Sequence, residues 1–241
     1  MALLEARSLV KSYRGRGAVV KGVSFEVEPG QVVGLLGPNG AGKTTSFRMT
    51  VGMLKADEGS VWFAGEDVTR KAMYLRARLG MGYLSQEPSI FRNLTVEQNV
   101  LAILETLPFG RKKRRELLEQ HLAELGLTPI RNSIAHALSG GERRRLEITR
   151  SLVTSPKLLL LDEPFSGVDP IAVSEIQDIV MRLRERGMGI LLTDHNVRET
   201  LSITDHAYIM FQGEILRHGT ATELVEDEAV RKIYLGDRFE M

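Results

Sequence analysis

Three glycines at positions 37, 40 and 42, followed directly by Lys43, Thr44 and Thr45, make the most chemically suggestive stretch of the chain. In Gly37-Pro38-Asn39-Gly40-Ala41-Gly42-Lys43-Thr44 the glycines let the backbone take conformations in which successive N–H groups point inward. Lys43 adds a mobile positive charge, and Thr44 and Thr45 add hydroxyls, Thr44 suited to a magnesium ion. This donor set matches the phosphates of a nucleoside triphosphate. A second segment, Leu158-Leu-Leu-Leu-Asp162-Glu163-Pro164, ends an apolar run in two adjacent acids. It supplies what the first lacks, namely oxygen for the metal shell at Asp162 and a base for water at Glu163.

The elements around these segments must hold them at one edge. Val32 to Leu36 is a continuous apolar run that reads as a buried strand, and helix-compatible residues follow from Thr44 to about Leu54. Leu9-Val10, Val23 to Val27 and Ser60 to Ala64 read as further strands, with turns at Pro29-Gly30 and Gly65. Between Thr95 and Leu125 the pattern turns helical: a start at Thr95, a break at Pro108-Phe-Gly110, then a charged amphipathic helix from Arg111. Beyond it, helices over Glu142–Val153 and Ala172–Arg186 alternate with short buried strands at Leu158–Leu161 and Gly189–Leu192. A strand-rich segment follows around Tyr208-Ile-Met-Phe211. Such alternation predicts an α/β fold with a parallel core sheet.

At 241 residues, 43% hydrophobic, the chain can bury a large core without staples. Its 32 basic and 31 acidic residues leave a net charge of +1, so no global field draws it to nucleic acid or a lipid surface. The basic runs Arg111–Arg115 and Arg143–Arg145 are flanked by Glu116, Glu119, Glu142 and Glu147 and read as solvated helix faces. Cysteine is absent, which removes disulfides and thiolate chemistry, and the five histidines lack metal-ligand spacing. Apolar runs fall far short of the roughly 20 residues that cross a bilayer, and the amino terminus lacks a secretory signal pattern. The expected place is the cytoplasm.

Leu138-Ser139-Gly140-Gly141-Glu142 opens the helix before the Asp162-Glu163 strand. Ser139 and two glycines ahead of a helix form either a second anion-binding nest or a helix cap, since both use the same exposed donors. The five-residue string resembles the signature of ABC ATPases. Further matches follow in that family's order: Tyr13, Gln86, Ser166-Gly-Val-Asp169 and His195. The resemblance implies a P-loop NTPase with a RecA-like, mainly parallel core sheet, an N-terminal antiparallel β subdomain and an inserted α-helical subdomain. A single nucleotide-binding domain would span 1–241, with the insert at about 90–155 and a tail at about 220–241. It also implies ATP and Mg²⁺ as cofactors. Tyr13 would stack on adenine, Gln86 would sense metal and water, Glu163 would act as base, and His195 would orient Glu163 and contact the γ-phosphate. Ser139 to Glu142 and Asp169 would act on the nucleotide of a second copy, so that two composite sites require a homodimer.

Several segments resemble, more narrowly, the ATPases of lipopolysaccharide export: Gly82 to Arg92, Leu138 to Arg145, Asp162 to Pro170, Thr193 to Leu201 and the tail Tyr234-Leu-Gly-Asp-Arg-Phe239. That resemblance implies attachment to the cytoplasmic face of an inner membrane through two transmembrane permease subunits, with no nucleic-acid partner. Branched-chain amino acid import ATPases share many of these motifs and stand as the alternative. A soluble ATPase acting on DNA or ribosomes fits less well, because such relatives carry a long coiled coil or two cassettes. Ser89-Ile90-Phe91-Arg92 sets two apolar groups beside a cation, the combination a partner-helix groove needs, with Phe91 and Arg92 as expected coupling residues; the alternative is that Ile90 and Phe91 face the core beside a solvated Arg92.

Overall fold

A computed structural model describes residues 2–15, 17–236 and 239. Strands β1 (Leu4–Tyr13) and β2 (Gly17–Val27) pair antiparallel; Leu4, Ala6 and Leu9 on one and Val23, Phe25 and Val27 on the other are buried. β3 (Val32–Leu36) is buried at all five residues, as its unbroken apolar run requires of a strand covered on both faces. It feeds the glycine loop and α1 (Lys43–Val51). β4 (Glu58–Phe63) and β5 (Glu66–Asp67) then complete an antiparallel sheet of order β2-β1-β4-β5.

After α2 (Met73–Leu79), β6 (Met81–Leu84) enters the main sheet, and the chain leaves it for a helical layer of α3 (Val96–Leu104), α4 (Arg111–Glu124) and α5 (Gly140–Leu152). This layer has its own core, in which Val100, Leu104, Leu122, Leu127 and Leu146 are fully buried. Thr95 starts α3 with a reciprocal capping box: its side chain accepts from the Gln98 amide at 3.1 Å, and Gln98 accepts from the Thr95 amide at 2.9 Å.

The chain returns through β7 (Leu158–Asp162), α6 (Pro170–Glu185), β8 (Gly189–Thr193), α7 (Val197–Leu201), β9 (His206–Phe211) and β10 (Glu214–Gly219). Sheet order is β10-β9-β3-β8-β7-β6, parallel throughout except for the antiparallel edge strand β10. The mainly parallel sheet, the antiparallel amino-terminal sheet and the helical layer are the architecture that the sequence predicts. The tail comprises α8 (Ala221–Glu226), α9 (Glu228–Val230) and a π turn at Arg231–Leu235. Of the tail motif, Asp237 and Arg238 lie outside the described residues.

Parallel strands end together. β3, β7 and β8 lie side by side, with Asp162 paired to Thr193, so Gly37, Glu163 and His195 emerge at the same carboxyl edge of the sheet. Open α/β sheets place their ligands at this edge.

The nucleotide-binding edge

Gly37 adopts φ 144°, and a Cβ there would collide with the Met210 carbonyl of β9, so only glycine lets the loop leave β3 this close to its neighbour. Lys43 is buried and donates from Nζ to the carbonyl oxygens of Gly37 at 2.6 Å and Pro38 at 3.1 Å. Burial pulls its pKa below the usual lysine value, against the opposing pull of Glu163, Asp162 and Asp194. Asn39 and Gly40 are exposed, Ala41 and Gly42 are buried, and Thr44 and Thr45 are half-buried on the first turn of α1.

Asp162 is 2% exposed. Its Oδ2 accepts from the Tyr83 hydroxyl at 3.3 Å, but its buried Oδ1 has no hydrogen-bond partner, and neither has the buried Thr193 hydroxyl. Burial raises the Asp162 pKa, with Glu163 adding to the rise and Tyr83 opposing it. An orphaned buried carboxylate oxygen is costly unless a proton or cation reaches it. This donor chemistry therefore fits a hard divalent cation.

Glu163 has φ 49°, a strained value for a residue with a side chain. Its amide donates to the Thr193 carbonyl at 2.8 Å, which holds the turn. Its carboxylate accepts from Gln86 Nε2 at 2.9 Å and lies 3.4 Å from His195 Nδ1. The structure thus brings Gln86, Glu163 and His195 together around one carboxylate oxygen, Oε2. Asp194 lies beside His195: its Oδ1 is 3.3 Å from the same Nδ1 and accepts from the Asn196 amide, while Oδ2 accepts from the Phe165 amide at 2.9 Å. Tyr13, at the end of β1, is 41% exposed, with the Lys11 ammonium 5.9 Å from its ring centroid.

Ser139, Gly140, Gly141 and Glu142 sit elsewhere. Among the described residues no hydrogen bond joins them to the phosphate loop. They pack against the segment after Glu163: a Cβ on Gly141 would stand 2.7 Å from the Cβ of Ala172 on α6. Ser139 is also a helix cap. Its hydroxyl accepts from the Glu142 amide, while the hydroxyl at 2.8 Å and the Ser139 amide at 2.9 Å both donate to the Glu142 carboxylate and hold that carboxyl below the usual range. The cap explains why α5 begins at Gly140, two residues before the expected start. Asp169 caps α6 in the same way, accepting from the Ile171 and Ala172 amides at 3.1 and 3.0 Å.

Two expectations need correction. Arg143–Arg145 is not wholly a solvated face, because Arg144 is 6% exposed. Its guanidinium donates to the carbonyls of Ser85, Asp162, Glu163 and Pro164 and to Glu147 at 2.9 Å, pinning α5 to both acidic residues and to the strand end before Gln86. Nothing in the local spelling separates this arginine from its neighbours; only the approach of β6 and β7 to α5 does. Secondly, Ile90 and Phe91 do not form an exposed pair. Ile90 is buried in the helical core, whereas Phe91 is 45% exposed, with the Arg150 guanidinium 4.6 Å from its ring centroid. Arg92 is exposed beside a cavity of about 170 Å³ lined by Pro88, Ile90, His136 and Arg143. Buried Asn99 holds the Phe91 backbone, accepting from its amide at 2.8 Å and donating to its carbonyl at 3.0 Å.

No helix among the described residues is long and apolar enough to cross a membrane. Comparison with known proteins agrees with the geometry. Residues 20–166 match the ABC transporter family model. The lipopolysaccharide export system ATP-binding protein LptB of Acidithiobacillus ferridurans is 55% identical, over 99% of both chains. The protein of the same name from Escherichia coli K12 is 48% identical over the full length of both. Among solved structures, an ATP-binding cassette of an ABC transporter in its ADP conformation superposes with a TM-score of 0.87 at 32% identity, over 98% of this chain and all of that one. The chain belongs to the ABC transporter family and is one of its ATP-hydrolysing subunits.

Proposed function

We propose that this chain works as a homodimer powering extraction and export of lipopolysaccharide, attached by two permease subunits to the cytoplasmic face of an inner membrane. The carrying observation is that Oε2 of Glu163, at the carboxyl edge of β7, lies within reach of both Gln86 and His195. The end-to-end likeness to lipopolysaccharide-export ATPases supports the choice of substrate.

The whole of 1–241 acts as one nucleotide-binding domain, its helical part at about 90–155. Tyr13 offers an exposed aromatic face to adenine. Gly37 to Thr45 form the ATP-binding loop, whose amides from Asn39 onward bind the phosphates, and Lys43 exchanges its loop carbonyls for phosphate oxygens. Thr44, Gln86 and, through water, Asp162 would hold a magnesium ion, which would neutralise charge on the phosphate oxygens. A water between Glu163 and the γ-phosphorus gives its proton to the carboxylate as its oxygen bonds to phosphorus and the bond to ADP breaks. His195 and Gln86 hold Glu163 in line. Ser139, Gly140, Gly141, Glu142 and Asp169 of the second copy complete the site, so hydrolysis opens the dimer.

Full-length chain isolated from its own membranes is expected to carry two export permeases; co-purification of compact amino acid permeases would overturn the substrate assignment. Phe91 and Arg92 form the coupling surface. Phe91→Ala is expected to weaken association with the permeases about tenfold, as loss of an aromatic anchor does, while kcat of the isolated chain stays within twofold. An undisturbed complex in a pull-down would remove Phe91 from that surface.

A further inference from the structure

Tyr234 carries a buried polar group that the chemistry above does not use. Its ring, in the π turn, packs against the apolar cluster that contains Leu36, Leu201, Ala207 and Ile209, against which Val197 also packs. Leu36 immediately precedes Gly37, and Val197 follows the Asp194–Asn196 turn. One apolar cluster therefore joins both segments that face the nucleotide, and the phenol packs against it.

The hydroxyl is buried and has no partner within hydrogen-bonding geometry. Burial pushes the phenol up to about 12; Asp194 adds to the rise, and the nearby Gly37 amide opposes it. The two groups that act on the hydroxyl therefore belong to the phosphate loop and to the His195 turn. An unbonded buried hydroxyl is unfavourable, so a conformation that supplies its partner is favoured by that difference. Gly37 is already backed on its other side by the Met210 carbonyl.

We propose that Tyr234 is a positioning residue for nucleotide binding: its hydroxyl accepts a hydrogen bond from the Gly37 amide as the loop closes on phosphate, making the carboxy-terminal segment part of the loop's support. The inference rests on Gly37 to Thr45 being the ATP site.

Tyr234→Phe keeps the ring and removes only the hydroxyl. In the full-length chain, KM for MgATP is expected to rise about tenfold with kcat within twofold, and the melting temperature without nucleotide to stay equal or rise. A fluorescent ATP analogue should show the same loss of affinity. Unchanged KM and affinity overturn the proposal, as does a lowered nucleotide-free melting temperature, which would make the hydroxyl merely structural. Failure of the wild-type chain to bind the analogue would instead refute the ATP site itself.

Discussion

Glu163→Gln is expected to lower multiple-turnover ATP hydrolysis by at least about 10²-fold, the scale of a lost general base, while MgATP binding is retained. Glutamine has the shape of glutamate and can still accept from Gln86 Nε2, now 2.9 Å from the carboxylate, so the site should keep its geometry. It cannot take the proton of the attacking water. On the proposed mechanism, in which hydrolysis opens the dimer, the variant should accumulate as a nucleotide-bound dimer in size-exclusion chromatography with MgATP. Phosphate release and elution volume check the two halves separately. Normal turnover would remove Glu163 from the role of base, and retained inactivity without a dimer would break the link between hydrolysis and opening. A loss of binding would mean that the carboxylate charge, rather than its basicity, holds the site together.

Arg144→Met should be the most damaging change outside the nucleotide motifs. Removing the guanidinium takes a donor from four backbone carbonyls and from buried Glu147 at once, although the Glu163 carbonyl keeps the Ser166 amide at 3.2 Å and Glu147 Oε1 keeps the Ser89 amide at 3.1 Å. Breaking one side of a buried ion pair costs about 3–5 kcal/mol, which for a chain of this length lowers the melting temperature by roughly 10 °C. The loss also reaches catalysis, because two of the carbonyls belong to Asp162 and Glu163 and a third to Ser85, next to Gln86. Slower hydrolysis should therefore accompany the lowered stability even at temperatures where the variant is folded. Lysine should not rescue it, since a single ammonium cannot span four carbonyls from two segments as the planar fork does. A stable, fully active Arg144→Met protein would contradict this account.

Much of the catalytic edge was legible beforehand because its residues obey local rules. Glycine at 37 is demanded by a positive φ and a neighbouring carbonyl, and Asp162 and Glu163 must follow a strand to reach the sheet edge. Thr95 and Ser139 announce helix starts through capping boxes, whose partners lie three residues away. Arg144, Asn99 and Asp194 were not legible as structural anchors. Each bonds backbone groups, which every residue possesses and no sequence pattern marks. Ile90 and Phe91 looked equivalent because adjacent apolar residues differ only in which side meets the core.

The sequence by itself determined the phosphate loop, the acidic pair, the order of motifs and the α/β alternation, since these depend on backbone freedom, side-chain chemistry and periodicity over a few residues. Tertiary structure decided how distant segments share that chemistry. It brought Gln86 and His195 to one carboxylate oxygen, buried one arginine of three between α5 and the acidic strand, and packed Tyr234 against the cluster that contains Leu36. The physical reason is register: which strand ends lie side by side depends on the packing of the whole sheet, and no short segment encodes it alone.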